Sequence, residues 1–180
     1  MQRIAALNPA EAPARSRKLL DGVQAKLGMT PNMMKTMAAS PQVLGAYLDF
    51  GGALGAGVLS AKLREQIALT VAQANSCEYC LAAHSALGEM AGLPPEELAA
   101  ARRGHSADAR RDAGLRFAQA LVAGRGQAAD QAVADVRAAG YSDGEIAEIV
   151  ANVAINIFTN YFNLVADTEV DFPAVSLALA

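Results

Sequence analysis

The 180 residues carry 15 basic and 18 acidic side chains, for a formal net charge of −3 and a sequence pI near 5.4. That balance argues against a nucleic-acid partner, so Arg102-Arg103 and Arg110-Arg111 read as solvated helix faces. Hydrophobic residues make up 53% and charged ones 18%, against roughly 45–50% and 25% for an average soluble domain. This apolar surplus points to a subunit interface. No apolar run reaches the ~18 residues of a transmembrane helix, and Met1-Gln2-Arg3 is not followed by a signal-peptide core. The expectation is a cytoplasmic chain with no membrane partner.

An irregular arm with Pro9 occupies residues 1–11. Pro13 suits the first turn of a helix reaching about Leu27, where Leu19, Leu20, Val23 and Leu27 form a stripe and Gly28 stops it. Thr30-Pro31-Asn32 opens a short helix, Met33 to Ala39, whose methionines read as core. Ser40-Pro41 caps a helix to about Leu54. Its Gly51-Gly52 and Gly55 are not a phosphate loop, since no strand precedes them and no G-K-[ST] follows. Ser60 caps Ala61 to Ala74, with Leu63, Ile67 and Val71 on one stripe. A helix from Cys77 to Gly92 follows, with Asn75 or Ser76 as its N-cap. A short helix ends near Arg103, and His105 falls in a loop as an exposed histidine without a partner. Helices are expected over Ala109–Ala123 and Gln131–Ala139. A capping box, Ser142-Asp143-Gly144-Glu145, starts the last one, Asp143 to about Val165. Ile146, Ile149, Val150, Val153, Ile157, Phe158, Phe162 and Val165 give it a broad apolar face. The tail from Asp171-Phe172-Pro173 is irregular, of a kind that crosses to a neighbouring subunit. No stretch alternates with period two, so the fold class is all-α. We expect a single domain, 1–180, with residues 54–92 as its chemical segment. A faint echo between Leu59–Glu65 and Tyr141–Ala147 suggests a second helical half over 108–168 without cysteines.

Both cysteines and one of the two histidines fall within Glu65–His84. Cys77, Cys80 and His84 stand at i, i+3 and i+7, one face of a helix. Cα atoms at i and i+3 are roughly 5 Å apart, inside the window a disulfide tolerates. C-x-x-C spacing in a cytosolic chain points to redox work or metal. A thiolate at a helix N-terminus is favoured by the dipole, which by itself would activate Cys77. If Asn75-Ser76 turns the chain back, Glu65 reaches the same face. Carboxylate, imidazole and thiol in series make a proton relay, which favours Cys80.

The spacing E-x11-C-x-x-C-x-x-x-H, met by Glu65, Cys77, Cys80 and His84, resembles the alkylhydroperoxidase D branch of the carboxymuconolactone decarboxylase-like family. The likeness runs over about Leu54 to Gly92. Leu27-Gly28-Met29-Thr30-Pro31-Asn32 and Asn160-Tyr161-Phe162-Asn163 are similar to flanks of the peroxidase-related members. The resemblance implies a multi-helical bundle with a catalytic helical hairpin. It implies a peroxidase in which Cys80 meets a hydroperoxide, Cys77 resolves the sulfenic acid, and Glu65 and His84 shuttle protons. An external dithiol or thioredoxin-like reductant would restore the pair, with no cofactor and no metal. It also implies a homo-oligomer, a hexamer of three dimers, with a trimer next. Tyr79 stands where better-known relatives carry histidine beside the second cysteine, and is a candidate lining residue. Three alternatives stay open: zinc held by Cys77, Cys80, His84 and Glu65, a lyase of the kind that names the family, and a helical protein with inert cysteines.

Overall fold

The computed structural model describes residues 2–179, and among these nine α-helices and no strand are present. They are α1 (Ala14–Leu27), α2 (Asn32–Met37), α3 (Pro41–Gly55), α4 (Ala61–Ala74), α5 (Glu78–Met90), α6 (Pro95–Arg102), α7 (Ala109–Ala123), α8 (Asp130–Ala138) and α9 (Asp143–Ala166). The all-α expectation holds. Local capping chemistry sets most boundaries. Ser40, Ser60 and Asp108 each accept a backbone N–H of their helix. Ser142 and Glu145 close the expected capping box. Gly28 ends α1 at φ 73, the left-handed conformation glycine tolerates.

α4 is the axis on which the bundle is built, with α5, α6, α7 and α9 all packing against it. Residues 66–72 of α4 are buried without interruption, not along one stripe. A helix wrapped on every side has no solvent face to keep polar. Its two polar members are bonded inside: Gln66 donates to the Glu97 carboxylate at 2.7 Å and Thr70 donates to the Ala101 carbonyl at 2.7 Å. Glu97 also accepts from Ser106 and the Ala107 amide. Burial works against its charge, but these donors and Arg111 hold its carboxyl below the usual range. Gly88 of α5 is a packing requirement, because a Cβ there would lie 2.6 Å from Leu98 Cδ2.

α9 departs from the expected pattern. By length and composition it is apolar enough to cross a membrane, although no uninterrupted apolar run marks it in the sequence. In the fold it packs on α3, α4, α5 and α7. Of the broad apolar face, for which a core or an interface is expected, Ile149 and Val153 are buried and Val150, Phe158 and Val165 are exposed. The buried face also carries Asn152, Asn156, Asn160 and Asn163. Asn152 and Asn156 spend their amides on carbonyls one turn back, Glu148 and Asn152.

The C-terminal segment packs on its own chain rather than crossing away. Phe172, Val175 and Leu177 lie against the core, and Arg102 donates to the carbonyls of Ser176 and Ala178. Asp171 accepts from the Asn32 amide at 2.7 Å, at the N-terminus of α2. His105 is exposed as expected but has a partner, Asp112, at 3.0 Å.

Candidate active site

The turn between α4 and α5 creates the site. The Ser76 amide bonds to the Gln73 carbonyl and the Cys77 amide to the Ala72 carbonyl, which is the pairing of a Schellman ending. Ser76 takes the left-handed position at φ 54, where glycine is usual and another residue is strained. Neither Asn75 nor Ser76 caps α5. Asn75 closes α4, and Cys77 itself is the N-cap, its Sγ accepting from the Cys80 amide at 3.3 Å. The chain therefore reverses within three residues, and α5 runs back along α4. That reversal brings Glu65 Oε2 to 2.7 Å from His84 Nδ1.

Four of the sequence-derived residues thus come together in the α4–α5 hairpin. Cys77 and Cys80 are free thiols, 1% and 2% exposed. The side chains of His84 and Glu65 are 23% and 21% exposed, so this carboxylate–imidazole pair meets solvent where the sulfurs do not. The fifth, Tyr79, is directed to structure. Its hydroxyl accepts from the Met33 amide at 3.2 Å and its ring meets Phe172 edge-on, centroids 5.8 Å apart. Burial first, then the Asp171 charge, push its phenol up against the opposing Met33 bond, so it stays neutral at physiological pH.

The two thiols are pushed apart. A hydrogen bond from Cys77 is the largest influence holding the Cys80 thiol down, to about 7, against the opposing effect of burial. The His84 charge and the amides of Asn163 and Asn160 assist. The Cys77 thiol is pushed up by that same bond, by burial and by the Cys80 charge. Burial pulls His84 down, but Glu65 and the Cys80 thiolate outweigh it and hold the imidazole above its ordinary value. The site thus favours ionisation of Cys80 and protonation of His84, and keeps the proton on Cys77.

Sequence reasoning gave no site role to three residues here, although two of them, Asn160 and Asn163, end a flank that resembles the peroxidase-related members. Asn163 of α9 donates its Nδ2 to Cys80 Sγ at 3.3 Å and to Met33 Sδ at 3.2 Å. Asn160, one turn earlier, is fully buried. The four asparagines at 152, 156, 160 and 163 follow helical spacing, a signal visible in the sequence. Tyr47 of α3 is the third; burial, then the charges of Cys80 and Glu65, push its phenol up to about 12. Replacing Asn163 with leucine keeps the volume and removes the donor. A hydrogen bond to a charged group is worth about 1.5–3 kcal/mol, so Asn163→Leu moves the Cys80 titration toward the ordinary thiol range. Iodoacetamide alkylation at pH 7 should slow severalfold, and an unchanged pH midpoint would remove Asn163 from the site.

A cleft of about 610 Å³ opens elsewhere, between Asn75, Gln119, Arg125 and Tyr161, and no motif residue lines it. Among the described residues no three His, Cys, Asp or Glu side chains converge as metal ligands, the arrangement a zinc centre at Cys77, Cys80 and His84 requires.

These features define a class: an all-helical protein with a vicinal dithiol at a helix start, backed by a carboxylate–imidazole pair. Residues 41–121, from α3 into α7 and with the whole motif inside, match the model of the Carboxymuconolactone decarboxylase family. That segment is a little under half of the chain, and through it the chain is similar to the family. The chain matches no curated protein sequence. Among solved structures it is similar to the alkylhydroperoxidase AhpD core of an uncharacterized peroxidase-related protein from Ralstonia eutropha JMP134. That match has a TM-score of 0.85 at 24% identity, over 94% of this chain and 92% of that one. An uncharacterized peroxidase-related protein from Silicibacter sp. TM1040 matches with a TM-score of 0.81 at 26% identity, over 93% and 92%. The debrominase Bmp8, in complex with 2,3,4-tribromopyrrole, matches with a TM-score of 0.81 at 22% identity, over 95% and 92%. At such identities the likeness establishes the fold, of the alkylhydroperoxidase D type.

Proposed function

We propose that the protein is a thiol-dependent peroxidase that reduces organic hydroperoxides through the Cys77–Cys80 pair. The observation that carries the reading is the buried Cys77–Cys80 pair, with the Cys80 amide bonded to Cys77 Sγ at 3.3 Å, in the same hairpin as the Glu65–His84 pair at 2.7 Å. The Cys80 thiolate attacks the terminal oxygen of the hydroperoxide, forming the S–O bond as the O–O bond breaks. Sulfur is oxidised to a sulfenic acid, and the departing alkoxide takes the proton of His84 to leave as an alcohol. Cys77 then attacks the Cys80 sulfur. The S–S bond forms, the S–O bond breaks, and the oxygen leaves as water with the Cys77 thiol proton. An external dithiol of the thioredoxin type reduces the disulfide by exchange. Glu65 fixes His84 and stabilises its charge.

Thiol titration before and after one equivalent of cumene hydroperoxide tests this. Two thiols per chain should be lost and should return with dithiothreitol. Unchanged thiols would overturn the reading and leave the lyase, zinc and inert-cysteine alternatives.

The same reading includes a cytoplasmic homo-oligomer. Val150, Phe158, Tyr161 and Val165 are exposed at near-helical spacing on one side of α9, an apolar stripe of the kind that interfaces cover. Light scattering at micromolar concentration should give a hexamer, with a trimer as the next species. A mass of 18.6 kDa, that of the single chain, would refute it.

A further inference from the structure

Two polar atoms beside Cys80 are unaccounted for by the fold. Asn160 is fully buried, and its Oδ1 accepts from Asn75 Nδ2 at 2.9 Å. That bond fixes which way the amide faces, and the Nδ2 it turns the other way is sealed from solvent without a partner. Asn163 lies three residues on, over the same helix face. Its Nδ2 serves Cys80 and Met33, while its Oδ1 is equally sealed and unpartnered. An orphaned donor and an orphaned acceptor one turn apart each cost folding free energy, and such pairs need an explanation. The Asn160 side chain also favours the Cys80 thiolate, while its Nδ2 does not meet hydrogen-bond geometry with the sulfur.

A sulfenic acid is the group that matches this pair. Its oxygen accepts one hydrogen bond and its hydroxyl donates one. We propose that Asn160 and Asn163 bind the oxygen a hydroperoxide leaves on Cys80, Asn160 donating to it and Asn163 accepting its proton; this rests on the peroxidase reading above. The thiolate keeps the Asn163 Nδ2 bond before the reaction. The Asn160 Nδ2 stands beside it for the oxygen that arrives. As the peroxide O–O bond breaks, the transferred oxygen moves within reach of a donor that requires no reorganisation. The sulfenic acid is then held in place until Cys77 attacks sulfur and the oxygen leaves as water. Asn75 joins α4 to this cradle, because its side chain sets the orientation of Asn160. The two asparagines touch the reacting atom and are catalytic residues in that sense.

The test uses the full chain carrying Cys77→Ser, which forms the sulfenic acid but cannot resolve it. On adding one equivalent of cumene hydroperoxide, the side-chain amide resonances of Asn160 and Asn163 should both shift in proton–nitrogen spectra. Alkylation by iodoacetamide, which adds no oxygen to sulfur, should not produce the same Asn160 shift. In a second arm, Asn160→Leu and the smaller Asn160→Ser are compared with their parent. Leucine should shorten the dimedone-trapped lifetime of the sulfenic acid by about tenfold, the scale of one lost hydrogen bond. Serine, which retains a hydroxyl donor, should recover part of it. The ratio of peroxide rate to iodoacetamide rate should fall with the lifetime, a readout that general loosening of the core would not move. A sulfenic acid that forms with no Asn160 response, or equal lifetimes in a folded variant, overturns the cradle alone. Failure of the Cys77→Ser protein to form any sulfenic acid overturns the peroxidase reading and the cradle together.

Discussion

A Cys80→Ser chain should consume no hydroperoxide, whereas Cys77→Ser should spend one equivalent and stop with an oxygen on Cys80. The two cysteines differ in ionisation because each is the other's closest partner. Cys77 gives its thiol hydrogen bond to Cys80, which holds the Cys80 thiol to about 7 and pushes Cys77 up. At pH 7 Cys80 is therefore about half thiolate, and the thiolate is the nucleophile. A serine hydroxyl at that position has no comparable ionised fraction, so its loss of activity should be complete within detection. Cys77→Ser is a mild change to the fold, because residue 77 is the N-cap of α5 and serine is a favoured cap. The ordering also follows. The largest influence raising Cys77 is its bond to the Cys80 sulfur, and oxidation of Cys80 removes the charge that sustains it. Cys77 becomes reactive only once there is a sulfenic acid to attack. Peroxide consumption and intact mass of both variants check this; a burst that survives Cys80→Ser would reverse the two roles.

Much of the bundle is legible because its helix ends are local events. Ser40, Ser60 and Ser142 with Glu145 mark starts that the structure reproduces, and the E-x11-C-x-x-C-x-x-x-H spacing locates the site before any coordinate is known. What failed to show is tertiary. Asn75 and Ser76 are better N-cap types than cysteine, and residue type alone assigns them that role. The structure spends Asn75 on Asn160 and Ser76 on ending α4 at φ 54, so the cap passes to Cys77. Hydropathy likewise gives α9 a face for a core or an interface, but it does not foresee that Asn152, Asn156, Asn160 and Asn163 are buried. Asn152, Asn156 and Asn163 are buried where a carbonyl or a sulfur takes the amide, since burial of a polar group is limited by partners more than by polarity. Tyr47 carries no local signal at all, because only the packing of α3 on α9 brings it near Cys80.

The second large effect concerns the relay. Glu65→Gln and His84→Gln should each slow peroxide turnover by about a hundredfold, the lower range for a positioned general acid. The double variant should be little slower than either single one. Glu65 Oε2 lies 2.7 Å from His84 Nδ1, so the carboxylate acts through the ring and removing both removes one function. The pH profile separates this from simple damage. Turnover requires Cys80 ionised and His84 protonated at once, and the two titrate as a coupled pair. The rising limb should lie near 7, where Cys80 loses its proton. The falling limb should lie above the ordinary 6.5 of histidine, because Glu65 and the Cys80 thiolate hold the proton on against the opposing pull of burial. Glu65→Gln removes the charge that raises His84, so the falling limb moves to lower pH and the bell narrows. A fall in rate at every pH with both limbs in place would assign Glu65 to packing, and additive losses in the double variant would break the relay into two independent residues.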